Sequence, residues 1–254
     1  KAQSALLPLE RLANAAQLGH VSVLLQADAQ ARWDYPVLAF DGDFYPSLAL
    51  QMLARYWSVP MSELRLEQDT GLWLGAQHLL SAEQVAGYPV NYYGPSGQFP
   101  HYSLQDLLDG QIPASALQGR MVLIGADVLG IKDLLPNAYT PILPGVERHA
   151  TLIDRLLQQT QLYHGAREWL WELALVLSGG LAALLFALYS APLWATLGTL
   201  GLLLALWSSA QWLLVSERIW LGLLYPSLSI LLVFTITQLV RLAMEQLRRR
   251  SAER

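Results

Sequence analysis

The 254-residue chain contains no cysteine. That excludes disulfides, thiolate-held metals and a cysteine nucleophile. It also fits an oxidising compartment, where a stray thiol is a liability. Charge is scarce, at 14% of residues, and the formal net charge is -4. With no basic surplus, nucleic acid is not expected as a partner. No basic-apolar leader is visible, and the chain opens on Lys1 rather than Met. A domain placed outside the cytoplasm needs a leader or an upstream span, so residues ahead of Lys1 are expected to have been removed or to lie upstream.

The scarcity of charge is uneven. Residues 1–168 carry ten Lys/Arg against sixteen Asp/Glu, and residues 169–254 carry six against four. Five of those last six cations lie at or beyond Arg241, so the stretch from Trp169 to Val240 is nearly uncharged. It divides into three apolar runs, 169–191, 193–215 and 219–240. A hydrocarbon core of about 30 Å needs about 20 helical residues, so each run is long enough to span a bilayer. Ser190-Ala191-Pro192 and Ser216-Glu217-Arg218 supply the turns, and Trp169, Trp171, Tyr189, Trp194, Trp212 and Trp220 mark headgroup depth. The arginines of the tail, residues 241–254, place that end in the cytoplasm by the positive-inside rule. Three spans then put residues 1–168 on the other side. None of the polar residues within the spans is a charge at mid-depth, which argues against an ion or proton path. Gly179-Gly180 and Gly198-x-x-Gly201 allow close helix contact, and Pro226, about a third of the way into the third run, is expected to bend it.

The outer two-thirds alternates strand and helix signals, which predicts a mixed α/β arrangement. His20–Gln26 and Pro36–Phe40 read as strands, with Asp41-Gly42-Asp43 as a hairpin turn. Ser47 caps a helix to about Trp57. Gly71–Leu74 with Gln77–Leu80, then Pro89–Tyr93, read as further strands. Ser103-Leu-Gln-Asp106 opens a short helix that ends at Gly110. Val122-Leu-Ile124 closing on Gly125 has the pattern of a strand buried on both faces. Pro144-Gly145-Val146 opens a helix to about Gln159, with Val146, Ile153, Leu156 and Leu157 on its apolar face.

Taken in order, these segments resemble a known family. Gly19-His-Val-Ser-Val, Phe44-Tyr-Pro-Ser-Leu-Ala-Leu50, Asn91-Tyr-Tyr-Gly-Pro, Val122-Leu-Ile-Gly-Ala126 with Asp133, Thr140-Pro141 and Pro144-Gly-Val-Glu-Arg-His-Ala150 are similar to the second type of CHASE sensor domain. The resemblance covers about residues 10 to 160. It implies an extracytoplasmic input module followed by three spans and a cytoplasmic output such as a nucleotide cyclase or a histidine kinase. Two departures stand out. Arg148 occupies a place where the family has Ile, and the family's opening strand and Gly-Trp-Pro-Trp-like segment have no counterpart here. The later half of the sensor domain is therefore what the chain is expected to hold, with other protein covering a face or an edge of its sheet.

The expected fold class is thus an α/β extracytoplasmic sensor domain, a mixed sheet with flanking helices, followed by a three-helix transmembrane region and a basic tail. The candidate ligand-binding residues are Asp127, Lys132 and Asp133, in the loop after Val122–Ile124, and His149. Loops at carboxyl ends of strands gather ligands in α/β sheets, and a histidine outside the cytoplasm can report acid pH. Two carboxylates are few for a metal, and Glu147 at a helix start is accounted for by the helix dipole. The five histidines show no metal spacing, so no metal, cofactor or catalytic residue is assigned. The expected partners are the lipid bilayer, an extracytoplasmic ligand or protein, a cytoplasmic output domain and a second copy of the chain in a dimer. Two other readings remain open: an extracytoplasmic membrane-anchored enzyme, or a structural docking subunit of an envelope complex. Bound ion in a carboxylate-lined cleft would favour the first, and a large apolar contact surface the second.

Overall fold

The computed structural model describes residues 8–126, 134–163 and 168–252, in two units that divide between Leu162 and Tyr163. In chain order the regular elements are α1 (Glu10–Ala13), β1 (Trp33–Asp34), β2 (Val37–Phe40), β3 (Asp43–Pro46), α2 (Leu48–Trp57), β4 (Leu64–Glu67), β5 (Gly71–Leu74), β6 (Gln77–Leu80), β7 (Tyr88–Pro89), α3 (Leu104–Leu108), β8 (Leu134–Leu135), β9 (Leu143–Pro144), α4 (Gly145–Leu157), α5 (Glu168–Tyr189), α6 (Pro192–Trp212) and α7 (Leu224–Ala252).

The first unit has small sheets flanked by helices. β2 and β3 form a hairpin whose two turn residues, Asp41 and Gly42, both take positive φ, the geometry that matches the strand twist. β4, β5 and β6 form a three-stranded antiparallel meander, and β1 pairs with β7 and β8 with β9. Gly71 is obligatory where the meander turns: its φ is +110°, and an added Cβ would lie 2.0 Å from the Leu80 carbonyl oxygen. The Ser47 hydroxyl accepts from the Leu50 amide and opens α2. A left-handed Ser58 closes it. The core lies between α2 (Leu50, Leu53), α4 (Leu152, Ile153, Leu156) and the meander (Leu72, Leu74, Leu79, Leu80). As the sequence predicts, Pro144 caps α4 and the chain turns there into the helix.

Two expected strands are absent. Residues 21–26 join no ladder; only His20 makes a bridge, to Ser47 at the start of α2. Met121–Ala126 is irregular and unpaired, and far from being covered on both faces, Val122 is 47% and Ile124 80% exposed. Met121 and Leu123 rest on the core while their neighbours face outward. The alternation is that of a strand, but a run of apolar residues makes a strand only where another backbone offers the ladder.

The second unit contains three helices long and apolar enough to cross a membrane, 21, 26 and 29 residues in length. α5 and α7 run parallel and pack closely. Gly180 lies where an added Cβ would come 2.7 Å from the Ser229 hydroxyl, whose proton goes to the Val176 carbonyl at 3.0 Å. The pair is tied at both ends. Near the start of α5, the Glu172 carboxylate accepts the Gly222 amide at 2.8 Å, just ahead of the first turn of α7, where a negative charge complements the helix dipole. At the other end, the Arg241 guanidinium of α7 donates to the last carbonyls of α5, those of Ala187 and Ser190. The hydroxyls of Ser178, Thr196, Thr199, Thr235 and Thr237 each donate to a carbonyl four residues back on their own helix. Pro226 does not bend a span. α7 starts at Leu224, so the proline sits in its first turn, where no intrahelical bond is lost.

Candidate functional site

The functional geometry of the first unit centres on two consecutive residues of α4, Glu147 and Arg148. Both are buried, and they reach into different surroundings.

Arg148 is fully buried and donates from Nη2 to the Asp34 carboxylate at 2.8 Å and to the Trp33 carbonyl at 3.0 Å. Asp34 in turn accepts the Tyr88 hydroxyl at 3.2 Å, and Tyr92, beside the guanidinium, donates to the Ala31 carbonyl at 2.6 Å. This network joins β1 to α4 across more than a hundred residues of sequence. Burial is the largest influence and works against the Arg148 charge, but Asp34 and Tyr92 together outweigh it and the guanidinium stays protonated. Tyr88 is pushed well above the ordinary phenol range, chiefly by burial and then by Asp34.

His20 stands at the edge of this network, half-buried. Burial lowers its pKa below 6.5, while Asp34 pulls the other way. The sign of the linkage follows. Folded His20 binds its proton less readily than the unfolded chain does, so its contribution to stability is present above pH 6.5. It is lost as pH falls from there through the lowered folded value. Acidification across that window is expected to destabilise the first unit, and His20→Asn to flatten that part of the pH dependence. Urea midpoints of the full chain in lipid nanodiscs between pH 7.5 and 5 measure it, and an unchanged slope in the variant would refute the assignment.

The Glu147 carboxylate binds a loop. It accepts from the Ser96 hydroxyl at 2.7 Å and from the Gly97 and Gln98 amides at 2.8 Å each, and His101 Nε2 lies 4.0 Å away. The other ring nitrogen of His101 faces the Phe99 carbonyl at 2.8 Å. The loop so held forms one wall of a cleft of about 530 Å³. Leu104 and Leu107 of α3, Val146 and Ala150 of α4, and the Met121–Gly125 segment with Arg120 at its start complete the lining. Gly125 lets that segment lie on α4, since an added Cβ would come 2.5 Å from that of Val146. The cleft is mainly apolar with a few polar groups, which suits a small-molecule site.

Of the residues expected to bind ligand, Asp127, Lys132 and Asp133 lie outside the described residues. His149 is half-buried on α4 and does not line the cleft, whereas Glu147 and Ala150 do. No group of three or more metal-ligating side chains occurs among the described residues. The helix dipole is not the main business of Glu147, which the loop amides claim. Its signal in the sequence was a carboxylate placed on the helix face that also carries Thr151 and Asp154, a position that says nothing of the distant loop. Arg148 stands where the resemblance implies an aliphatic residue, but nothing in the sequence pairs it with Asp34, more than a hundred residues away.

No curated protein and no solved structure matches the chain. The model of one family, described as the CHASE2 domain, matches residues 2–186, well over half of the length. That family is an extracytoplasmic sensor domain. With a matching sensor module ahead of three spanning helices, this chain belongs to the CHASE2 domain family.

Proposed function

We propose that the chain is the sensing and relay part of a bacterial inner-membrane receptor, working as a dimer, that drives a cytoplasmic output such as a nucleotide cyclase or a histidine kinase. The cleft beside Glu147 receives the signal, residues 1–168 lie outside, and the tail from Arg241 leads to the output. One observation carries the relay: α7 is an uninterrupted helix of 29 residues. At 1.5 Å per residue it is about 43 Å long, more than the ~30 Å hydrocarbon core, so its last turns project beyond the membrane as a rod. The Glu172–Gly222 and Arg241–Ala187 ties make that rod move with α5, the helix that enters from the sensor side. Apolar Val240, Met244 and Leu247 recur along one stripe of the projecting part and are exposed, which suits pairing with a second copy.

A rod transmits rotation in phase. With the full chain fused through residue 254 to a cyclase catalytic module, inserting two alanines after Ser251 turns everything downstream by about 200°, whereas seven alanines restore the phase to within about 20°. The two-residue insertion is expected to change basal cyclase activity several-fold and the seven-residue insertion to return it. Equal activity in all three fusions would show that the helix does not couple span to output.

A further inference from the structure

The lining of the cleft narrows what it can take. Its walls are apolar: Leu104, Leu107, Val122 and Ile124, all reached by solvent. Such a surface favours a hydrophobic body. Four ionisable side chains line it: His101, Tyr102, Arg120 and Glu147. Glu147 is 3% exposed, and its oxygens are taken by Ser96, Gly97 and Gln98, so it presents little charge to a ligand. Arg120, also on the lining, is exposed and makes no ion pair among the described residues. His101 sets Nδ1 against the Phe99 carbonyl, and its Nε2 lies 4.0 Å from the Glu147 carboxylate. The lining therefore offers one exposed cation while its carboxylate is buried and bonded, although the first unit as a whole is acidic.

We propose that this cleft binds an amphipathic monoanion, a compact apolar body bearing one carboxylate that Arg120 receives. Apolar walls supply affinity, and the guanidinium selects the anion over its neutral counterpart. The size fits: clefts that hold small organic ligands run from about 300 to 1,000 Å³, and this one measures about 530 Å³. The lone carboxylate of the lining, already saturated, does not compete for Arg120. The inference rests on the reading of this domain as an input module, which it deepens by naming the chemical class of the input.

The absence of cysteine gives a clean test. Ala116→Cys, on the cleft wall, is labelled with bimane in the full chain held in lipid nanodiscs. The probes are 2-naphthoate, its neutral isostere 2-naphthamide, and decanoate, which separates an aromatic from an aliphatic body. A saturable bimane response to naphthoate or decanoate is expected, with naphthoate about fivefold tighter than the amide, the scale of one exposed ion pair. Arg120→Gln is expected to remove that preference and leave amide binding unchanged, and Leu107→Gln to weaken naphthoate and amide together. Absence of saturable binding, equal affinity for acid and amide, or an Arg120→Gln variant that loses both equally would overturn the proposal. The outcome is separable from the receptor reading. A phase-sensitive fusion without binding of any probe sinks the ligand class alone, and binding with a phase-insensitive fusion sinks the relay alone.

Discussion

Asp34→Ala is expected to lower the stability of the first unit by about 3–5 kcal/mol, the cost of leaving a buried charge without its partner. The Arg148 side chain has no exposed surface, and Asp34 is the one carboxylate bonded to it. Without Asp34 the guanidinium keeps only the Trp33 carbonyl, and the buried Tyr88 hydroxyl loses its acceptor as well. Against a typical domain stability of about 5–15 kcal/mol, such a loss removes a third or more of the margin in most of that range and leaves a domain at its lower end barely folded. Arg148→Met strands the carboxylate instead and is expected to cost somewhat less, since Asp34 keeps the Tyr88 hydroxyl as a donor. The double variant Asp34→Leu/Arg148→Met removes both charges and is expected to recover most of the loss. Pulse proteolysis of the full chain in nanodiscs across a urea series reads the first unit while the spans stay in lipid. A single Asp34→Ala variant within about 0.5 kcal/mol of the parent, the range of ordinary surface changes, would show that the pair is not structural.

Local signals in the chain were reliable where the physics is local. The caps at Ser47 and Ser103, the Asp41-Gly42 turn, the Pro144-Gly145 helix start and the three apolar spans all depend on a few adjacent residues, and each occurs in the structure. The failures required knowledge of a distant neighbour. Val122-Leu-Ile124 has the composition of a buried strand, yet a ladder is made by two backbones and no second one lies beside it among the described residues. Pro226 looked like a mid-span kink because an apolar run does not mark where the helix inside it begins. Trp220 to Leu223 are as apolar as a span but precede the helix, and there the Gly222 amide bonds to Glu172 of another helix. The same holds for the site. Asp127, Lys132 and Asp133 lie outside the described residues. Glu147 and Arg148 do their work through partners fifty and more than a hundred residues away.

Glu147→Gln tests the loop that those long-range bonds create. The amide is nearly isosteric with the carboxylate, so packing is preserved and only acceptor capacity changes. One carbonyl oxygen remains, and the new amino group faces donors where the second oxygen stood. Of the Ser96 hydroxyl and the Gly97 and Gln98 amides, at least one then lacks an acceptor, and the remaining bonds lose their charge assistance. Bonds to a charged group contribute about 1.5–3 kcal/mol each. The expected loss is about 3 kcal/mol, felt first as release of the 94–101 loop rather than as collapse of the core, because the core contacts of α4 lie on Leu152, Ile153 and Leu156. Amide hydrogen exchange is the suitable measurement. Peptides covering residues 95–101 are expected to exchange at least about tenfold faster in the variant, about 1.4 kcal/mol of lost protection, while peptides from α2 stay protected. Glu147→Asp keeps the charge but shortens the side chain, and is expected to restore only part of the protection. The cleft wall moves with that loop, so Glu147→Gln is also expected to weaken binding of naphthoate and of its neutral amide by the same factor. Loss confined to the acid would place Glu147 in charge recognition instead of in support of the wall. Uniform acceleration of exchange through α2 and α4 would make the carboxylate a support of the whole unit rather than of the loop.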